Sequence, residues 1–258
     1  DEALDVAASK MQESREKYTP CGHLFTAGAD LQSQFVKRFA EAYGSYNVTS
    51  HESLCLLSNN RAFLDTFGEA PFADVLNSKY IVMAGANRFE ALVTPDSIDM
   101  MTALQDGCKL VVLDPRYTKT AALATEWHPI KPGTDMAFML ALAHVIITEK
   151  LYDPVWIEEK TFGIEELAAH VAQYTPGFAA EECSIPAEDI VRIARELADA
   201  APAAMIYPGR RSSDYENSSQ IRRRTASARG RGRSGSVLRK PFQFRLSLCI
   251  RPLSSMCL

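Results

Sequence analysis

The sequence predicts an α/β fold: a doubly wound, mainly parallel sheet with helices on both faces, Rossmann-like in plan. Three observations predict it. Two short runs, KYIVMA at 79–84 and KLVVL at 109–113, have the near-continuous hydrophobicity of strands buried on both faces. Longer segments with helical apolar spacing separate the strand patterns. The strand runs end in turn residues, Gly85 and Asp114-Pro115, as they do where a strand hands over to a helix. Strands alternating with helices imply a parallel sheet covered on both sides. The handedness of parallel crossovers then points to a doubly wound arrangement.

The elements follow in order. Residues 3–17 carry Leu4, Val6, Ala7 and Met11 at helical spacing. Residues 23–27 form a short apolar run that stops at Gly28, a strand and turn. Residues 31–43 read as a helix with Phe35, Val36, Phe39 and Ala40 on one side, and 46–48 as a short strand. Residues 53–67 read as a helix entered from a polar turn. After the strand at 79–84, Thr94-Pro95 supplies an N-cap with proline at the first helical position, and the helix runs to about 104. The strand at 109–113 comes next. Thr134 or Asp135 caps a long helix reaching about 149. Helices near 154–159, 164–173 and 187–200 precede a last strand at 203–207, closed by Pro208-Gly209.

A chain of 258 residues is long enough for a sizeable core, and its 47% hydrophobic and 23% charged residues are ordinary for a globular protein. Apolar runs stay shorter than the roughly 18 residues a membrane-spanning helix needs. The sequence begins at Asp1, with no signal-peptide pattern ahead of it, so the N-terminus is expected to be cut and the compartment is not legible. Six cysteines occur without a C-x-x-C pair, which argues against a zinc ribbon, a ferredoxin-like cluster or a disulfide scaffold.

The net charge of −4 conceals an asymmetry. Residues 217–258 hold ten Lys or Arg and no acid, leaving the rest with eighteen basic and thirty-two acidic residues, a net −14. The tail from about 221 to 258 is biased to Arg, Ser and Gly and then loses its period. A basic arm for nucleic acid, a disordered end and an out-of-frame translation are the three readings of it. The out-of-frame reading is favoured. The acidic body argues against nucleic acid as a partner.

In parallel sheets of this kind, ligands sit beyond the carboxyl ends of the strands. Small or polar groups stand at four such ends: 26–28, 85–87, 114–116 and 209–211. Glycine at Gly85, Gly133 and Gly209 lets the backbone come close to a phosphate or a flat ring. Asp114 suits hydrogen bonds from a ribose. The turn Pro132-Gly133-Thr134-Asp135 opens a helix whose first amides suit a phosphate, and Asp135 suits the donors of a guanine edge. Plain turn geometry and helix capping account for the same residues equally well. No G-x-G-x-x-G follows a predicted strand, and there is no Walker loop.

Taken together and in order, these segments resemble one family. VVLDPRYTKTAALATEWHPIKPGTDMAFMLALAHVIITEKLYD at 111–153 is similar to the core signature of the dimethyl-sulfoxide-reductase superfamily of molybdopterin oxidoreductases. KYIVMAGANRFEA at 79–91 is similar to its strand-G-x-N element. GSYNVTSHESLC at 44–55 and PGRRSSDYENSSQIRR at 208–223 resemble the thiosulfate and polysulfide reductase catalytic subunits more narrowly. The resemblance covers residues 1 to about 223, with one cofactor-binding α/β portion at 1–220.

The resemblance implies a redox catalytic subunit that holds a molybdenum bis(pterin guanine dinucleotide) cofactor and reduces sulfur–sulfur bonds. Tetrathionate, arsenate and formate are the other substrates it leaves open. It implies that Cys55 ligates molybdenum, consistent with the preference of soft metals for thiolate. Gly85, Asn87, Asp114, Arg116, Gly133, Asp135 and Gly209 match positions around the pterin guanine dinucleotides. His51, four residues before Cys55, stands equally as a proton donor toward substrate and as a structural histidine. Arg210 and Arg211 stand equally as attractors of an anion and as plain surface charges. An iron–sulfur electron-transfer subunit, a membrane quinol-oxidising subunit and a periplasmic, membrane-associated setting are implied with it. The [4Fe–4S] cysteine motif and the closing C-terminal domain usual in this subgroup are missing here, so the fold is expected to be incomplete and the fragment inactive alone. A non-redox nucleotide-binding α/β module is the rival reading.

Overall fold

The computed structural model describes residues 1–28, 33–51, 61–65, 68, 73–91 and 96–209. The chain divides into two units, Asp1–Leu57 and Ser58–Leu258.

In the first unit, α1 (Glu2–Tyr18) precedes β1 (Phe25–Ala27), α2 (Ser33–Tyr43) and β2 (Val48–Ser50). The two strands pair in parallel, with Thr26 opposite Thr49. The second strand starts two residues later than the apolar pattern at 46–48 suggests. Ser45 explains the offset: its side chain is buried, donates to His23 O (2.8 Å) and accepts from Asn47 N (3.2 Å), which makes 45–47 a turn. Phe25 is the hub of the packing, with edge-on contacts to Phe39 and Tyr43 at 5.8 and 5.6 Å. Tyr43 also donates to Met11 O at 2.6 Å, anchoring α1, which buries no residue of its own.

The second unit is built on a four-stranded parallel sheet. β3 (Tyr80–Ala84) leads through α3 (Asp96–Gln105) to β4 (Lys109–Leu113), then through α4 (Lys119–Leu123) to β5 (Glu126–His128). α5 (Asp135–Thr148), α6 (Pro154–Lys160), α7 (Ile164–Val171), α8 (Pro176–Cys183) and α9 (Ala187–Asp199) follow, and β6 (Ala204–Pro208) closes the sheet. The spatial order is β5-β4-β3-β6, every pair parallel. The chain winds outward from β3 through β4 to β5, then returns to the other side of β3. This is the doubly wound plan that the sequence predicts.

Alternation along the strands divides the core in two. Tyr80, Val82, Ala84, Val111, Leu113 and Ile206 face a layer made by α5, α8 and α9. Ile81, Met83, Leu110, Val112 and Met205 face Met100 and Ala103 of α3 and Ala121 of α4. Both faces are covered, which is why β3 is buried at all five positions. α5 is apolar nearly all round. One side joins the sheet layer, while Leu140 and Ala143 meet Leu167 and Val171 of α7. Each large side chain sealed here contributes roughly 1.5–3 kcal/mol.

Two helices and a strand escape the sequence reading: α4, α8 and β5. Both helices nonetheless carry an N-cap signal. Thr118 accepts from Ala121 N, and Thr175, followed by Pro176, accepts from Phe178 N. Thr134 stands at the N-cap of α5 but its hydroxyl donates to Lys131 O (2.7 Å), so it closes the turn and does not cap a helical amide. The expected cap at Thr94-Pro95, most of the helix expected over 53–67, and the tail at 221–258 lie outside the described residues. Residues 61–65 are helical.

The amino ends of the strands carry a charge network. Lys109 Nζ lies 2.9 Å from Glu126 and 2.6 Å from Glu196. Arg192 bridges Glu126 (2.7 Å), Asp189 (2.8 Å) and Glu196 (3.3 Å), and Tyr80 donates to Glu196 at 2.8 Å. Burial alone would raise the Glu126 carboxyl. Hydrogen bonds from Arg192, Lys109 and His128 outweigh it and bring the pKa down from 4.5 to about 2. A carboxylate held below its unfolded value stabilises the fold above about pH 4.5, and this contribution fades as pH falls toward about 2. Glu126→Gln is therefore expected to cost roughly 2–3 kcal/mol near neutral pH. In urea unfolding across pH, its deficit against the parent chain shrinks as the solution is acidified through that window. A deficit independent of pH would show that the network does not act through this charge.

Candidate functional site

The order of strands reverses between β3 and β6, and ligands of open α/β sheets bind where such a reversal parts the loops. At this point the two backbones nearly touch. Gly209 N donates to Ala84 O at 2.7 Å. A Cβ at 209 would stand 1.9 Å from Gly85 O and 2.5 Å from Ala86 N, so no other residue fits. Gly85 has φ +63 and donates to Leu113 O at 3.0 Å, turning the chain sharply over the end of β4.

The loop after Gly85 is held from two sides. Thr120 Oγ1, fully buried on α4, donates to Asn87 Oδ1 at 2.8 Å and accepts from Phe89 N at 3.1 Å. Asn87 Nδ2 donates to Glu90. The Asn87 amide is thus bonded within the protein at both ends. On the other side, Asp96 at the start of α3 accepts from Arg88 (2.8 Å) and from the Tyr207 hydroxyl (2.6 Å) through one carboxylate oxygen. The Arg88 guanidinium lies over the Tyr207 ring, 5.5 Å from its centre. Sequence reasoning misses this group entirely, since Asp96 and Tyr207 stand far apart in the chain.

Beyond β4, Asp114 is buried at 7% exposure. Its carboxylate accepts from Arg116 N at 2.9 Å, an Asx turn that fixes the peptide leaving the strand. Its carbonyl accepts from the Trp127 indole at 2.8 Å, and its own amide donates to His128 O at 3.3 Å. The Arg116 side chain is exposed. Beyond β5, Gly133 takes φ +87 in the turn that opens α5, and Asp135 is 5% exposed at the helix start. Asp135 is near enough to Cys183 that its charge adds to the burial that pushes that thiol up. Cys108 is likewise pushed up by burial, to about 11. Both thiols are closed in the core, as structural cysteines are.

Gly85, Asn87, Asp114, Arg116, Gly133, Asp135 and Gly209 therefore all lie at or just past the carboxyl ends of strands of one sheet. His51 belongs to the first unit, where it follows β2, is exposed, and donates through its backbone amide to Ala27 O at 3.1 Å. Cys55, Arg210 and Arg211 lie outside the described residues. Among the described residues no group of three or more His, Cys, Asp or Glu converges to hold a metal ion.

A doubly wound α/β unit with glycines at the reversal of strand order and carboxylates at the neighbouring strand ends defines the class of Rossmann-like proteins. Within that class, the chain belongs to the molybdopterin oxidoreductase family, whose model matches residues 1–229. The chain is 36% identical over 222 residues to the thiosulfate reductase molybdopterin-containing subunit of Salmonella typhimurium, covering 86% of this chain and 29% of that protein. It is 34% identical over 223 residues to the acetylene hydratase of Syntrophotalea acetylenica, covering 85% of this chain and 30% of that one. The solved acetylene hydratase from Pelobacter acetylenicus superposes with a TM-score of 0.76 at 32% identity, over 89% of this chain and 32% of its own. The chain thus spans less than a third of the length of these relatives.

Family membership implies a molybdenum pterin cofactor. The residues present fit such a group. The glycine at 209 lets the ends of β3 and β6 close on one another at the reversal, and the carboxylates of Asp114 and Asp135 are acceptors suited to hydroxyl and ring N–H donors. The contact at the reversal is directly testable. Gly209→Ala is expected to cost more than about 3 kcal/mol, because a backbone must move. Gly107→Ala, at φ +84 with nothing within 4 Å of the added carbon, costs about 1 kcal/mol of left-handed strain alone. Equal costs in urea unfolding would contradict the close passage at Gly209.

Proposed function

We propose that the chain forms part of the catalytic subunit of a molybdenum bis(pterin guanine dinucleotide) oxidoreductase that reduces sulfur–sulfur bonds in thiosulfate or polysulfide. The observation that carries the reading is the 36% identity, over 86% of the chain, to a protein described as a thiosulfate reductase subunit.

In this reading the cofactor supplies two-electron redox chemistry at molybdenum, and the chain supplies position, charge and access. Asp114 and Asp135 accept hydrogen bonds from nucleotide ends of the cofactor. The Gly85 and Gly209 backbones line its approach. Asn87, bonded to Thr120 and Glu90, holds the loop in shape and offers its second amide hydrogen to the cofactor. Arg116 offers an exposed guanidinium to a phosphate. Cys55 supplies the thiolate to the metal. His51 delivers a proton toward the substrate, and Arg210 and Arg211 attract the small sulfur anion. Electrons arrive through a [4Fe–4S] cluster in the complete protein, from an iron–sulfur subunit fed by a membrane quinol-oxidising subunit. The setting is periplasmic.

The rival is a nucleotide-binding α/β module without redox chemistry, for which strand-end Gly and Asp serve equally well. Metal analysis of the full-length protein separates the two. The reading predicts about one molybdenum per chain and reduction of thiosulfate or polysulfide by a reduced viologen dye. It also predicts that Cys55→Ser loses at least about 100-fold in rate while pterin stays bound, as loss of a metal ligand commonly does. A molybdenum ratio near zero leaves only the rival. Bound molybdenum with turnover of formate or arsenate in place of sulfur compounds would overturn the substrate.

A further inference from the structure

Tyr117 is an aromatic ring standing out of the sheet's carboxyl edge. It is 66% exposed, two residues beyond the Asp114-Pro115 turn. Solvated tyrosines at loop tips usually sample several rotamers, but this one has an aromatic neighbour. Its ring meets Trp127 edge-on, centroids 5.1 Å apart and planes at 68°. Trp127 is itself fixed, because its indole N–H donates to Asp114 O at 2.8 Å. The backbone on either side is pinned as well. Arg116 N donates to the Asp114 carboxylate (2.9 Å), and Thr118 is buried and caps α4 through Ala121 N (3.2 Å). A chain of contacts therefore runs from the Asp114 carbonyl through Trp127 to the Tyr117 ring. It holds an apolar flat surface beside a buried carboxylate and leaves most of that surface in water.

We infer that Tyr117 is the stacking wall for the heteroaromatic base of a nucleotide whose polar groups are held at Asp114. The inference rests on the reading of this edge as a nucleotide site and adds to it the residue that grips the base. Three features of the geometry favour that role. A ring two-thirds exposed keeps a face toward solvent, and a face is what a base needs. The Trp127 contact biases its rotamer, so binding loses less side-chain entropy. Trp127, donating to the Asp114 main chain, ties the stacking ring and the carboxylate into one rigid unit.

Trp127 also reports on it. The chain has two tryptophans, and Trp156→Phe leaves Trp127 as the one emitter. In that background the 258-residue chain is titrated with GDP, and ribose 5-phosphate is used as a competitor that lacks the base. GDP is expected to change Trp127 emission saturably. Tyr117→Ala and Tyr117→Leu are expected to weaken GDP about tenfold, in line with the loss of one base–aromatic stack, while Tyr117→Phe stays within about twofold of the parent. The exposed position makes the variants foldable, and near-ultraviolet circular dichroism checks it. Competition by ribose 5-phosphate is expected to be the same in all of them. If GDP binds equally to parent, Tyr117→Ala and Tyr117→Leu but is weakened by Asp114→Asn, the stacking role falls and the nucleotide reading survives. If the parent binds neither GDP nor ribose 5-phosphate, both fall together.

Discussion

The passage of Gly209 across Gly85 is the contact on which the rest of the second unit depends. Parallel strands β3 and β6 are brought together by an excursion of more than one hundred residues, and their carboxyl ends meet with the Gly209 amide donating to Ala84 O. A methyl group there would overlap a carbonyl oxygen. The pairing fixes where the strand order reverses, and the reversal fixes where the loops part. Asn87, Asp114 and the turn before α5 are gathered along one edge because those strands end together.

The two edges of the sheet are built from different materials. At the amino edge, Lys109 and Arg192 are paired with Glu126, Asp189 and Glu196, and the Tyr80 hydroxyl donates to Glu196. Such networks hold strands in register but leave little capacity for a ligand. At the carboxyl edge, glycine and carboxylate predominate, and the aromatic and hydroxyl groups there serve mainly to hold the backbone. Thr120, Trp127 and the Arg88–Asp96–Tyr207 group each fix a loop that carries a candidate contact. Precision at the edge thus comes from side chains placed behind it.

Much of the fold was legible because the buried strands are unambiguous. KYIVMA and KLVVL allow no amphipathic reading, and both appear as strands within one residue of the expected limits. α5 was legible through its length. α4, α8 and β5 were not: α4 spans five residues, β5 three with no apolar run to mark it, and α8, as long as α7, lacks the one-sided apolar stripe that marks α7. For the two helices, the N-cap threonines were the available signal. At the site, Gly85, Asp114 and Gly209 were marked by their place after strands. The Tyr207–Asp96 bond and the Trp127 indole were invisible, because each joins residues that only the folded sheet brings together. Asn87 was marked by its place after a strand, but its bonds to Thr120 and Glu90 were not, since only the folded loop brings Thr120 to it. Cys55 and His51 rest on the family resemblance, which no spacing argument replaces.

Amide hydrogen exchange of the full-length protein, with and without its pterin cofactor, tests the central claim that the carboxyl edge receives the ligand. The account predicts about tenfold or greater added protection at residues 85–88, 114–118, 133–135 and 209, as expected for amides closed by a bound ligand. Amides at the amino ends of β4 and β5, Lys109 and Glu126, should exchange at the same rates in both states. Protection that leaves the carboxyl-edge loops unchanged, or that appears at the charged amino edge, would contradict it.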